Sequence, residues 1–182
     1  MDPIVLASAS PQRRAILEHL GIPFVVAPAD VDELDTGDPP VVALENARRK
    51  ARAVPGAHVL GVDTVVALDG RIYGKPRDAQ EARATLLALG GRTHVVHSGL
   101  HLTGVGEAVE ATAVTFRAVD TDLADWYLAS GEWRGRAGGY AIQGRGAALV
   151  AAIEGDYANV VGLPVAAFMD LLTTLGFPGK SA

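Results

Sequence analysis

The stretch from His58 to Pro76 constrains this chain most. Val59, Leu60, Val62, Val65, Val66, Ala67 and Leu68 form an apolar, β-branched run with the signature of a buried strand, and Asp69-Gly70 behind it is a strong two-residue hairpin signal. Asp63 stands in the middle of that run. An ionised carboxylate among apolar residues is costly unless it is paired, hydrogen-bonded or on a metal, so its position requires a reason. A two-residue turn at Asp69-Gly70 sets Lys75 opposite Thr64 and near Asp63, although only a bulge would bring Asp63 and Lys75 to one face. From this stretch alone, a structural ion pair and a working carboxylate are equal readings.

The flanking sequence adds an anion site. A short strand over 4–7 runs into Ser8-Ala-Ser10-Pro11-Gln12-Arg13-Arg14 and a helix to Leu20, closed by Gly21. Ser10 as N-cap and Pro11 at the first helical position follow the rules for helix starts. Arg13 and Arg14 do not, because the positive end of the helix dipole disfavours cations in the first turn. Two arginines and the Ser8 and Ser10 hydroxyls at a strand-to-helix turn make sense with a phosphate in front of them, the plain alternative being two solvated arginines. After a strand over 24–27, the acidic segment from Asp30 to Asp38 is mostly a solvated loop, with one or two candidates for a divalent metal. Oxygen-only ligands beside a phosphate suit magnesium or manganese. Asp38-Pro39 opens a helix of about fifteen residues, and of Arg48, Arg49, Lys50 and Arg52 in its second half, one at most is expected to reach the site.

Asp78 and Glu81 cap a helix to Leu89, and residues 93–103 and 108–119 form a long hairpin. His94, His97 and His101 fall on mixed faces of its first strand, which argues against a three-histidine metal site. Thr121 caps a helix whose core face is Leu123, Trp126 and Tyr127. The glycine-dense segment 135–146 lets backbone approach a ligand closely and carries Arg136 and Arg145 as cations. A buried strand over 147–153 and a last helix from Leu163-Pro164 to Leu175 complete the chain. With 182 residues, 49% hydrophobic and 20% charged, the composition suits one domain over residues 1–182. A net charge of −5 argues against a general nucleic-acid or membrane-surface binder. The absence of cysteine excludes thiolate chemistry. No signal or membrane-spanning segment is legible, so a cytoplasmic setting is expected.

Leu6-Ala-Ser8-Ala-Ser10-Pro-Gln-Arg13-Arg14, Asp32-Glu33, Lys50-Ala51, Gly61-Val-Asp63-Thr64, Gly74-Lys75-Pro76, Gly138-Gly-Tyr-Ala-Ile-Gln143-Gly144 and Gly155-Asp156-Tyr157 through Pro164 together resemble the Maf family of nucleoside triphosphate pyrophosphatases, in collinear order over nearly the whole chain. The resemblance implies an α/β fold of the Maf and inosine-triphosphatase type: a mixed twisted sheet flanked by helices, two lobes around a cleft, often a homodimer. It implies cleavage of a nucleoside triphosphate between its α and β phosphates with a divalent metal. By position, Asp63 is the proton acceptor, Ser8, Ser10, Arg13, Lys50 and Lys75 line the phosphates, and Glu33 with Asp63 holds the metal. Thr64 and Gln143 match the branch acting on dTTP and UTP, whereas the branch acting on 7-methyl-GTP carries Gln and Glu at those places. Gln12 stands where the first branch usually has Arg, so that contact is either lost, which weakens the base preference, or taken over by Arg14. Two alternatives are a 7-methyl-GTP or modified-nucleotide pyrophosphatase and a non-catalytic nucleotide-binding regulator of cell division.

Overall fold

The computed structural model describes residues 3–178. The chain runs β1 (Ile4–Leu6), α1 (Pro11–His19), β2 (Phe24–Val26), α2 (Pro39–Arg52), β3 (Val59–Leu68), β4 (Arg71–Tyr73), α3 (Ala79–Leu89), β5 (Thr93–Leu102), β6 (Gly106–Phe116), α4 (Thr121–Leu128), β7 (Val150–Glu154), α5 (Tyr157–Val161) and α6 (Val165–Thr173), with 3₁₀ turns at Ala137–Gly139 and Gly144–Leu149. The seven strands make one mixed sheet in the order β2-β1-β3-β5-β6-β7, with β4 beside β3.

The sheet forks along one edge of β3. Val59 and Leu60 pair in parallel with Val5 and Leu6 of β1, whereas Val66, Ala67 and Leu68 pair antiparallel with Tyr73, Ile72 and Arg71 of β4. Between them, Gly61 to Val65 have a strand neighbour only on the other side, where β5 pairs with β3 without interruption. Asp63 and Thr64 lie in this gap.

Because side chains alternate along a strand, Leu60, Val62, Thr64, Val66 and Leu68 share one face. Leu60 and Val62, with Leu100 and Leu102 of β5, join Leu17 of α1 and Phe168 and Leu172 of α6 in one apolar cluster. Val66 and Leu68, with Val96 of β5, join Leu86, Leu89 and Tyr127 in another. The two cores are separated by the cross-strand pair Thr64 and Ser98, whose hydroxyls are 2.8 Å apart. A polar step in an otherwise apolar face divides the molecule into two lobes on a shared sheet.

The opposite face of β3 carries Gly61, Asp63 and Val65 and is covered by α2. A Cβ on Gly61 would stand 2.0 Å from the Ala47 carbonyl oxygen, and one on Gly99, the register partner of Asp63, 2.4 Å from that of Ala43. Both positions are closed to any side chain. The two glycines let the helix lie directly on the sheet, so its inward stripe at i, i+3 and i+4 spacing lands on Asp63.

Several local expectations hold. The Ser10 hydroxyl accepts from the Arg13 amide, the Asp78 carboxylate from the Glu81 amide, and Asp69 and Gly70 both take positive φ, as a type I′ hairpin needs. Others are corrected. Residues 147–153 do not form a buried strand: Gly144–Leu149 is 3₁₀, because Gly144 at φ 65 and Gly146, tight against the Ala141 carbonyl, coil the segment over Tyr127. The β7 strand that follows is a largely exposed edge paired only with β6. Trp126 is not a core residue but lies outside α4 at 45% exposure, stacked by Arg145, while Ala124 and Tyr127 face inward. The last helix is shorter than its pattern, and α5, which no periodicity announced, precedes it.

Candidate active site

Asp63 is 4% exposed. Its Oδ1 accepts from the Lys50 ammonium at 2.6 Å and its Oδ2 from the Asn46 side-chain amide at 3.0 Å. Asn46 also donates to the Leu34 carbonyl and accepts from the Leu34 amide, which fixes the loop carrying Glu33 against α2. Glu33 reaches the same Lys50 at 2.7 Å and Lys75 at 3.2 Å. The four residues Asp63, Lys50, Glu33 and Lys75 thus form a continuous chain of ion pairs. Burial raises the Glu33 carboxyl, but hydrogen bonds and charge from Lys50 and Lys75 outweigh it and hold the group below its ordinary range.

Lys50 is therefore the one cation of the second half of α2 to reach the site. Lys75 differs from the hairpin expectation: the β3–β4 register is the anticipated one, but the ladder ends at Val66 and Tyr73, and Lys75 turns to Glu33 instead of Asp63.

Arg13 closes the other side of the fork. Its Nε donates to the Gly162 carbonyl at the end of α5 (2.8 Å), Nη1 to the Ser8 hydroxyl (2.9 Å) and Nη2 to the Thr64 hydroxyl (3.2 Å). Burial pulls its guanidinium below the ordinary value, against the opposing fields of Asp63 and Glu33. Ser8 also accepts from the Ser10 amide, and the Ser10 hydroxyl donates to Gln12. Arg14 does not approach the site. It is exposed, pairs with Glu18 at 3.4 Å and is not among the residues that line the cleft with Gln12.

The fork opens on a cleft of about 370 Å³, walled on one side by residues 9–13 with Asp63, Thr64 and the end of α5 that Arg13 binds, and on the other by residues 134–137 and 140–143. Ser10, Gln12, Arg13, Asp63, Thr64 and Gln143 line it directly. Ser8, Glu33, Lys50 and Lys75 stand outside that lining and connect to it through Arg13 and Asp63. Gln143 is exposed across the cleft at the start of the 3₁₀ turn. Arg136 belongs to this wall, whereas Arg145 lies over Trp126 with a hydrogen bond to that residue's carbonyl.

For a metal, the donors are all hard oxygens. Among the described residues no group of three or more histidine, aspartate or glutamate side chains assembles. Glu33 and Asp63, brought to one ammonium, are the two carboxylates available. One or two carboxylates completed by water and substrate phosphates is the habit of magnesium, so the donor set fits such an ion. His94 belongs elsewhere. It is buried, hydrogen-bonded through Nε2 to the Tyr140 hydroxyl and set edge-on to Phe116 and Tyr140.

Asn46 is the principal site residue that the sequence reading missed. Val42, Ala43, Ala47 and Ala51 mark the inward stripe of α2, and Asn46 and Lys50 are its two polar interruptions, both buried. A polar residue on an apolar stripe is the signal that could have found it.

A mixed α/β sheet, forked at a chain of ion pairs that runs from the buried Asp63 and Lys50 to the exposed Glu33 and Lys75 beside a cleft between two lobes, defines the class of protein. A family model described as Maf-like protein matches residues 3–175, and the chain belongs to that family. It is 47% identical to a dTTP/UTP pyrophosphatase of Symbiobacterium thermophilum, over 98% of this chain and 96% of the relative. The protein of that name from Myxococcus xanthus is 49% identical over 96% and 93%, and that from Pyrococcus furiosus 43% identical over 94% and 95%.

Proposed function

We propose that this chain is a hydrolase that splits dTTP and UTP between the α and β phosphates, giving the monophosphate and pyrophosphate. The observation that carries the reading is the place of Asp63: a carboxylate at the fork of the sheet, oriented by Lys50 and Asn46 and open to the cleft. Relatives with that name across nearly the full length support it.

Phosphoryl chemistry depends on positioning and charge neutralisation more than on covalent help. Asp63 takes the proton of the attacking water, and the two donors on its oxygens keep the carboxylate from rotating away. Arg13 and the Ser10 hydroxyl orient the triphosphate from the lining of the cleft, and Ser8, Lys50 and Lys75 behind that lining support them and add positive charge. Glu33 and Asp63 would hold a magnesium or manganese ion, which when bound supplies further charge neutralisation on the phosphate oxygens.

Gln143 and Thr64 read the base, with Gln12 beside them. An amide offers both a donor and an acceptor, which suits the N3–H of uracil or thymine between its carbonyls, whereas a carboxylate only accepts. One hydrogen bond of this kind is worth roughly 1–3 kcal/mol, a preference of about ten- to a hundred-fold. The test is pyrophosphate release from UTP, dTTP, CTP, GTP and 7-methyl-GTP by the native protein and by Gln143→Glu. UTP and dTTP should lead for the native protein, and the variant should shift towards the guanine nucleotides. An unchanged order in the variant would remove Gln143 from base recognition, and no release from any nucleotide would leave a binding protein.

The same proposal covers a single domain over residues 1–182, a cytoplasmic homodimer, and no nucleic-acid or membrane partner. One continuous sheet from Ile4 to Glu154 supports the single domain, and the net acidic charge speaks against a nucleic-acid partner.

A further inference from the structure

The charge on the Asp63 side of the cleft is smaller than its residue count suggests. Arg13, Lys50 and Lys75 are three cations, but Glu33 and Asp63 are held among them, so that side offers one net positive charge. A triphosphate carries several negative charges and is neutralised incompletely from that side alone.

The opposite wall carries Arg134 and Arg136. Among the described residues no carboxylate lies within ion-pair distance of either. Glu132, their nearest acid in sequence, is engaged by the backbone amides of Arg145 and Gly146 at 3.0 and 3.1 Å. Arg134 lies over the Trp133 ring at 4.9 Å. Among the described residues, the half-buried Arg136 is held only by its backbone: its amide donates to the Trp133 carbonyl and its carbonyl accepts from Gly139.

Its place in the cleft is built. The Gly138 amide donates to the Gly74 carbonyl, next to Lys75, and a Cβ on Gly138, at φ 67, would press to 2.9 Å from Val66, two residues beyond Thr64 on β3. That docking sets Arg136 across the cleft from Asp63, with a guanidinium that can fork onto phosphate oxygens.

We infer that Arg136, with Arg134 outside it, forms the second jaw of a triphosphate clamp and meets the phosphate tail from the lobe opposite Arg13. This rests on the reading of the cleft as a nucleoside triphosphate site. The tail then bridges the two lobes, and the base is held beside it by Gln143 on the same wall.

The test is calorimetric binding of inorganic tripolyphosphate, α,β-methylene-UTP and UMP, with magnesium, to the native protein and to Arg136→Ala, Arg136→Lys, Arg134→Ala and, as an exposed control, Arg14→Ala. Charge-assisted hydrogen bonds to phosphate lead to an expected loss of about tenfold or more for both triphosphates in Arg136→Ala, with UMP within about twofold. Arg136→Lys should recover part of that loss, Arg134→Ala should lose less, and Arg14→Ala should match the native protein. Thermal melts of the two Arg136 variants should coincide with that of the native protein, since no side-chain bond of Arg136 is removed. The clamp is overturned if Arg136→Ala binds tripolyphosphate as the native protein does, or if it loses UMP as strongly as the triphosphates, which would put Arg136 at the nucleoside. Failure of the functional reading is separate: it is read as absent pyrophosphate release by the native protein, whereas tripolyphosphate binding reports on the clamp alone.

Discussion

Two of the polar clusters that the sheet buries are built on opposite logic. At the fork, Asp63, Lys50 and Glu33 are charges neutralised by one another, with Asn46 completing their hydrogen bonds and the cleft alongside. In the core of the other lobe, His94 and Tyr140 form a neutral hydrogen-bonded pair sealed by Phe116. Burial alone pushes the His94 imidazole down to about 4 and keeps it uncharged. A buried polar group therefore does not by itself mark a site. What separates the first cluster is charge and a missing strand neighbour.

Removing one charge from the first cluster should break this comparison most visibly. Lys50→Met leaves Glu33 and Asp63 facing each other without their shared cation, and breaking a buried pair in this way costs about 3–5 kcal/mol. Urea unfolding at pH 7.5 should show that loss, and a value within about 0.5 kcal/mol of the native protein would mean that the cluster is solvated and adds little to stability.

The second cluster should be sharpened by pH. Because His94 is depressed in the folded state, the unfolded chain binds its proton first, so stability is present above the ordinary histidine value near 6.5 and declines as pH falls towards about 4. The full effect is about 3 kcal/mol as an order of magnitude. His94→Phe should lower stability at pH 7.5 through the lost Tyr140 partner yet flatten the slope between pH 6.5 and 4.5; an unchanged slope would place the titration elsewhere.

Lys75 should give the smallest effect on folding. It is about half exposed and pairs with Glu33 at the open end of the ion-pair chain, where such pairs are worth about 0–1 kcal/mol. Lys75→Ala should hold the melting temperature within a few degrees while raising KM for UTP. A large drop in melting temperature with KM unchanged would make it a structural residue.

The parts of the fold legible in the sequence were those governed by local chemistry. Ser10-Pro11, Asp78 with Glu81, and Asp69-Gly70 each specify a cap or a turn through their own side chains or φ angles, and the hairpin register followed from the turn. Asp63 stood out because an acid in a β-branched run contradicts the pattern around it. What escaped depended on partners distant in sequence. Lys75 could be placed opposite Thr64 but not steered to Glu33, 42 residues away, and the carbonyl that orients Arg13 belongs to Gly162, 149 residues on. The five residues of α5 are too few to show a period, and the glycines of 138–146 permit strand and 3₁₀ alike until Val66 and Tyr127 give them a surface. Asn46 is legible as a polar break in the apolar stripe of α2, but its partners Leu34 and Asp63 lie 12 and 17 residues away.

The most direct test of the account is Asp63→Asn, which keeps the shape and the cleft but removes the charge and the proton acceptor. Pyrophosphate release from UTP and dTTP, measured beside the melting temperature and the affinity for α,β-methylene-UTP, decides it. The account predicts a folded variant that still binds the analogue and has lost at least about a thousandfold in turnover, since both base catalysis and charge placement depend on that carboxylate. Turnover within about tenfold of the native protein would contradict it, and would return Asp63 to the role of a structural ion pair.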